Sequence, residues 1–289
     1  MPTAQPEGGG STVRRMLLGS QLRRLREAKG ITRERAGYTI RASESKISRM
    51  ELGRVSFKER DVADLLTTYG ITEEAEREKL ETMAQQANEP GWWQRYSDIL
   101  PHWFNTYMGL EEDAARIRTY ELQFIPGLLQ TEDYARAVTA LGHTEASAEE
   151  IDRRVSLRMA RQHILTRADA PRLWAVVDEA ALRRPIGGPE VMRAQLEYLL
   201  EMTKLGNITL QVMPFLFGGH AAEGGAFSIL RFTEPDIPDI VYVEQLTGAL
   251  YLEEPKDVDP YTEVMERLCV DSENPDSSAT MISRILTET

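Results

Sequence analysis

Residues 31–53 read ITRERAGYTIRASESKISRMELG. Thr32 is placed to cap a short helix reaching about Thr39, because its hydroxyl can accept from a backbone N–H one turn on. Ser43 does the same for a second short helix through Leu52, in which Ile47 and Met50 stand three apart on one inward face. Gly53 closes that helix, since the left-handed backbone that ends a helix suits glycine. The stretch therefore predicts helix, tight turn, helix.

The sequence on either side supplies more short amphipathic helices. Upstream, Leu18, Leu22 and Leu25 share a face and Gly30 stops the run. Downstream, Val62, Leu65, Leu66 and Tyr69 stripe a fourth helix ended by Gly70, and Leu80, Met83, Ala84 and Ala87 stripe a fifth. Pro90-Gly91 then breaks the pattern. The expected organisation is a disordered arm over 1–15, rich in Gly and Pro, an all-α five-helix domain over 16–89, and a larger α+β domain over 90–289 with a small, mainly antiparallel sheet.

Charge divides the chain in the same way. The formal net charge is −12, which alone argues against a nucleic-acid partner. Yet residues 14–60 carry 14 Lys/Arg against 5 Asp/Glu, while residues 91–289 carry 18 against 32. A compact basic segment on an acidic body is the footprint of a nucleic-acid-binding head joined to a body that binds something else. A capped helix with a small polar leading turn fits the DNA major groove, about 12 Å wide. Its leading N–H groups and basic flanks can neutralise phosphates.

Residues 43–53, SESKISRMELG, resemble the recognition helix of the Cro/cI (XRE-type) helix-turn-helix family, with its S-x-S-x-I-S-R-x-E-x-G run. The resemblance implies a head that binds double-stranded DNA. Glu44, Ser45 and Arg49 match positions that face base edges, Arg49 forking onto guanine and Glu44 accepting from a cytosine amine. Lys46 and Ser48 flank them as phosphate contacts. Arg33 takes the place of a backbone-contacting Gln, and Arg41, Ser43 and Arg54 complete the expected DNA-facing set. Arg26 and Glu51 match a pair that ties the first helix to the third. Two positions depart from the family. Arg41 stands where the turn usually has Gly, at a cost of ~1 kcal/mol for a left-handed backbone. Gly37 stands where the second helix usually has Ala and is expected to loosen it by up to ~1 kcal/mol.

The second domain reads as helices at about 111–123, 131–141, 148–167 and 189–204, with strands near 173–177, 208–212, 226–232, 240–243 and 249–252 and helices again near 258–268 and 277–286. Its strings GWWQRYSDILPHWFNTYMGLEEDAARIRTYELQFIPGLLQTEDYARA, RMARQHILTR, DEAALRRPIGGPEVMRAQLEYLL and VYVEQLTGALYLE resemble the C-terminal domain of the actinobacterial WhiJ-like, or Scr1-type antitoxin-like, regulators. That resemblance implies a regulatory body with a small BldB-like protein as partner. Trp92, Trp93, Tyr96, Trp103, Phe104 and Tyr107 suit either a core or an interface. The loop GGHAAEGG at 218–225 suits either an ordinary hairpin connection or a lid.

No G-x-S-x-G, H-E-x-x-H, Walker A or Rossmann fingerprint occurs. His102, His143, His163 and His220 lack ligand spacing, and Asp178, Glu179 and Glu244, near expected strand ends, are more readily solvated or capping groups than an acid–base pair. Neither enzymatic activity nor a cofactor or metal is expected. Cys269 has no partner cysteine, no apolar run reaches the ~18–20 residues of a membrane span, and no signal peptide opens the chain, so a cytoplasmic location is expected. The combined expectation is a transcriptional regulator that forms a homodimer, with a body responsive to the small protein or to a small-molecule effector. The rival is an antitoxin-like protein that sequesters its partner and binds DNA only to regulate itself.

Overall fold

Residues 12–289 are described by the structure, a computed structural model, and the chain is helical from the first of them. Of the expected arm, residues 1–11 lie outside the described residues. Residues 12–15 open α1 (Thr12–Ala28), where Val13 and Arg15 are buried. Burial of these side chains draws the helix start back into sequence whose Gly and Pro content had suggested an arm. α2 (Arg33–Thr39), α3 (Glu44–Glu51), α4 (Glu59–Thr68) and α5 (Glu74–Asn88) follow. Thr32 and Ser43 cap α2 and α3 through their hydroxyls, as expected. Leu18 and Leu22 of α1, Ile47 and Met50 of α3, Val62, Leu65 and Leu66 of α4, and Leu80 and Ala84 of α5 share one core.

Glycine sets how closely α1 meets α3. A Cβ on Gly19 would lie 2.4 Å from the carbonyl oxygen of Met50, and one on Gly53, at φ +65°, would lie 2.5 Å from the backbone nitrogen of Met16. Beside this contact the protein buries a carboxylate. Glu51 of α3 accepts from one edge of the Arg26 guanidinium of α1, Nε to Oε1 and Nη2 to Oε2, the latter at 3.1 Å. Arg33, the first residue of α2, donates its Nε to Oε2 at 3.0 Å. Arg26 also donates to the Ile31 carbonyl at 2.8 Å, fixing the link from α1 to α2. Arg26 and Glu51 are each 6% exposed, and the hydrogen bond to Glu51 pushes the Arg26 pKa up. On another side of α3, Lys46 Nζ donates to Asp61 Oδ2 of α4 at 2.6 Å. Charge pairs thus tie α3 to α1, α2 and α4.

The expected boundary at Pro90-Gly91 is corrected. The chain divides into one unit running to Asp113, with Glu234–Ile237, and another made of Ala114–Thr233 and Pro238–Thr289. After Pro90 a 3-10 turn (Trp92–Tyr96) leads into α6 (His102–Asp113), which packs back on α1. Trp93, Tyr96 and Tyr107 are buried, so core packing outweighs the break that Pro90-Gly91 makes in the helical pattern.

The second unit is α+β around a six-stranded mixed sheet in the order β3-β2-β1-β4-β5-β6. β1 (Arg116–Glu121) runs parallel to β2 (Arg172–Asp178), and β2 parallel to β3 (Ile208–Met213). The crossovers are α7 (Glu132–Gly142) with α8 (Ala148–Arg161), then α9 (Glu179–Arg183) with α10 (Pro189–Met202). β4 (Phe227–Arg231), β5 (Ile240–Gln245) and β6 (Gly248–Leu252) extend the other half antiparallel, and α11 (Pro255–Asp271) and α12 (Pro275–Glu288) complete the unit. β1 replaces part of the helix expected over 111–123. Its Glu- and Ala-rich approach favours helix, but pairing on both sides with β2 and β4 wins, as tertiary context commonly overrides propensity. The outer edge of β3 is closed: Ser278 Oγ of α12 accepts from Val212 N–H at 2.9 Å and Glu273 N–H donates to the Val212 carbonyl at 3.0 Å.

Removing one partner of a buried, hydrogen-bonded ion pair costs roughly 3–5 kcal/mol, whereas a partly exposed pair contributes under about 1. Glu51→Ala is therefore expected to destabilise the head by about 3–5 kcal/mol and Arg33→Ala by under about 1. Native-state hydrogen exchange at the Met50 and Glu51 amides reads both, and unchanged protection in Glu51→Ala contradicts the clamp.

Candidate nucleic-acid interface

With Ile47, Met50 and Glu51 turned inward, helical spacing puts Ser45, Arg49 and Leu52 on the opposite face at i, i+4 and i+7. Ser43, Glu44 and Ser45 are exposed. Ser43 Oγ accepts from the Lys46 N–H at 3.2 Å, which leaves the N–H groups of Glu44 and Ser45 at the open end of α3, where an anion is favoured. Arg49 and Ser48 are half-buried. The Arg49 Nε is covered and makes no hydrogen bond among the described residues. Such a donor costs about 1–3 kcal/mol until an acceptor reaches it.

The turn before α3 holds Arg41 at φ +53°, the one non-glycine residue with positive φ among those described. It is exposed and lines a shallow depression with Thr39, Ile40, Arg60 and Asp64. Directly beneath the turn lies Gly37. The Ala42 N–H donates to the Gly37 carbonyl at 2.8 Å, and a Cβ on Gly37 would sit 2.7 Å from the Ala42 carbonyl oxygen. The expectation that Gly37 merely loosens α2 is corrected: its missing side chain lets the turn fold down on the helix.

The nine residues expected to face DNA separate into two groups. Ser43, Glu44, Ser45, Ser48, Arg49, Arg41 and Arg54 gather at the turn and around α3, with Arg54 exposed just beyond Gly53. Arg33 and Lys46 are committed elsewhere, to Glu51 and to Asp61, which is 3% exposed. These two help hold α3 in place, with their side chains still partly exposed. Tyr38, 77% exposed with the Arg35 guanidinium 5.8 Å from its ring, and Leu52 were not singled out by sequence. Leu52 continues the Ser45–Arg49 stripe, a spacing overshadowed by its place at the helix end, and a leucine there suits contact with a thymine methyl. Arg60 adds an exposed cation at the start of α4.

In the second unit the expected strand-end acids have local tasks. Asp178 accepts from the Ala180 N–H at 2.8 Å and caps α9, and Glu179 accepts from Arg183 and from the Phe215 N–H. His220 lies 3.0 Å from the Tyr120 hydroxyl, which pins the 218–225 loop to the sheet.

Helix propensity alone would make Gly37→Ala stabilising. The 2.7 Å approach reverses the sign, and a loss of about 1–3 kcal/mol is expected, the usual cost of overpacking. Urea unfolding of the variant checks this, and a gain in stability contradicts the packing described.

A helix-turn-helix domain family matches residues 17–80, in agreement with this geometry and with a DNA-binding regulator. No curated protein and no solved structure matches the chain. A second family, described as a domain of unknown function (DUF5753), matches residues 104–284, more than half of the 289 residues. The chain therefore belongs to the DUF5753 family and carries that domain behind a helix-turn-helix head.

Proposed function

We propose that the protein is a sequence-specific transcriptional regulator, not an enzyme, that reads double-stranded DNA with α3. One observation carries the reading: the leading turn of α3 is exposed and capped, while the Glu51 carboxylate holds the rest of the helix to α1 and α2. A rigidly held helix with an open N-terminus is what groove recognition needs. Glu44, Ser45 and Arg49 read base edges, while Arg41 and Arg54 hold phosphates.

The second unit is the regulatory part of this reading. It dimerises, so that two heads engage half-sites about 34–36 Å apart. It also responds to a small BldB-like protein or to a small-molecule effector, which shifts DNA affinity by favouring one arrangement of the heads. Support comes from the likeness of its sequence strings to WhiJ-like regulators and from its acidic charge, which steers association with a basic partner.

Genomic fragments captured by the purified protein supply the operator for the test. On that duplex Glu44→Ala is expected to lose preference at one base pair, about 1–3 kcal/mol of discrimination. Arg54→Ala should weaken all sequences alike and lower the slope of log K against log salt by about one. Anisotropy titrations at several salt concentrations read both. An unchanged base preference in Glu44→Ala contradicts the assigned role, and a wild-type protein that selects no sequence contradicts the function.

A further inference from the structure

One edge of the sheet in the second unit gathers apolar side chains that the fold does not use. Because β1, β2 and β3 are parallel, and β5 returns to their direction after β4, the C-terminal ends of these strands share that edge. Leu122 follows β1, Phe215–Phe217 follow β3, and Leu246 follows β5. These five are half of the ten exposed large apolar residues among those described, with Leu216 97% and Leu246 101% exposed.

Their exposure is built in. A two-residue turn joins Gln245 to Gly248 across the β5–β6 hairpin, a place where glycine and short polar residues belong. Leu246 there contributes nothing to the turn. The Phe215–Phe217 turn is fixed by Glu179, whose Oε2 accepts from the Phe215 N–H at 2.8 Å, and by the Phe217 N–H on the Pro214 carbonyl. Leu216 is thereby held outward. The loop after it is folded away, with His220 on Tyr120 and Ala222 in the core, so it does not cover the leucine.

The same edge is acidic. Glu121 ends β1, Glu244 lies near the end of β5 and Glu223 lies in the loop before β4, the last two exposed. β4 separates β1 from β5, a span of roughly 10 Å at two strand spacings. Burial, and then Glu244, push the Glu121 carboxyl up to about 8. Arg158 and Arg161 draw it part of the way back down, and Arg158 also donates to Gln130 Oε1 at 2.9 Å. A second copy of the chain would bring the exposed Glu223 and Glu244 against their own copies, whereas a cationic partner would meet complementary charge there.

We propose that this edge is the docking surface for a partner protein, which presents a basic segment with apolar anchors: leucine or aromatic side chains against Leu216 and Leu246, and lysine or arginine against the exposed Glu223 and Glu244. The inference rests on the reading that the second unit binds a protein and gives that binding a place and a chemistry. A displayed library of short random peptides, panned against the full-length protein, tests it. Enriched peptides are expected to carry net positive charge and at least two large apolar residues. Their affinity should fall roughly tenfold or more in Leu216→Asp/Leu246→Asp, as when interface anchors are replaced by charge. Val270→Asp, at an exposed site on α11, should leave it unchanged. Acidic or absent enrichment, or equal binding to the double variant, overturns the proposal. So does sedimentation showing a wild-type dimer that the double variant dissociates, which would make the edge a self-interface. DNA affinity measured on the same preparations keeps the questions apart, because failure to bind an operator sinks the regulator reading and leaves the peptide result standing.

Discussion

Glu51 accepts hydrogen bonds from guanidinium groups on two other helices while itself almost wholly buried. Burying a carboxylate is unfavourable unless cations and donors surround it, so α1, α2 and α3 must meet in one arrangement to satisfy it. The glycine contacts between α1 and α3 permit that approach, since Gly19 and Gly53 leave room for backbone where any Cβ would collide. Lys46 on Asp61 adds the fourth helix. The outward face of α3 is what remains after these constraints are met, and it carries Ser45, Arg49 and Leu52. The direction in which the helix presents its side chains is thus a consequence of how it is fastened from behind.

Much of the head was legible in the sequence because its signals are local. Thr32 and Ser43 cap their helices through contacts three residues away, and the Leu18–Leu22 and Ile47–Met50 stripes follow from helical period. Family resemblance points to the Arg26–Glu51 pair, but not to Arg33 as its third member. Nothing in sequence spacing distinguishes an arginine facing phosphate from one facing a buried carboxylate 18 residues later. The Lys46 ion pair is hidden from sequence for the same reason, its partner lying on the next helix. Propensity, a property of the helix alone, misses the role of Gly37, because the deciding contact is with the turn that follows it.

In the second unit the legible parts were again the periodic ones. The alternation of Ile208, Leu210 and Val212 and the apolar run at 173–177 are strands as expected. β1 was missed because Arg116–Glu121 offers helix formers and only a short alternation, and its strand state depends on β2 and β4, which lie far along the chain. The mixed character of the sheet, with a parallel half and an antiparallel half, follows from where the α7–α8 and α9–α10 crossovers fall. That topology also decides which loops share an edge, so the grouping of Leu122, Leu216 and Leu246 could not be read from their separate positions in the chain.

The central claim is that the leading turn of α3 lies against base edges in the major groove. A photo-crosslinker attached through Ser45→Cys, in a Cys269→Ser background, addresses it most directly once an operator is in hand. The account predicts cross-links to bases inside the operator from position 45, and none from the same reagent placed by Leu141→Cys on the exposed surface of α7. Cross-links from position 141 with none from position 45 would contradict it.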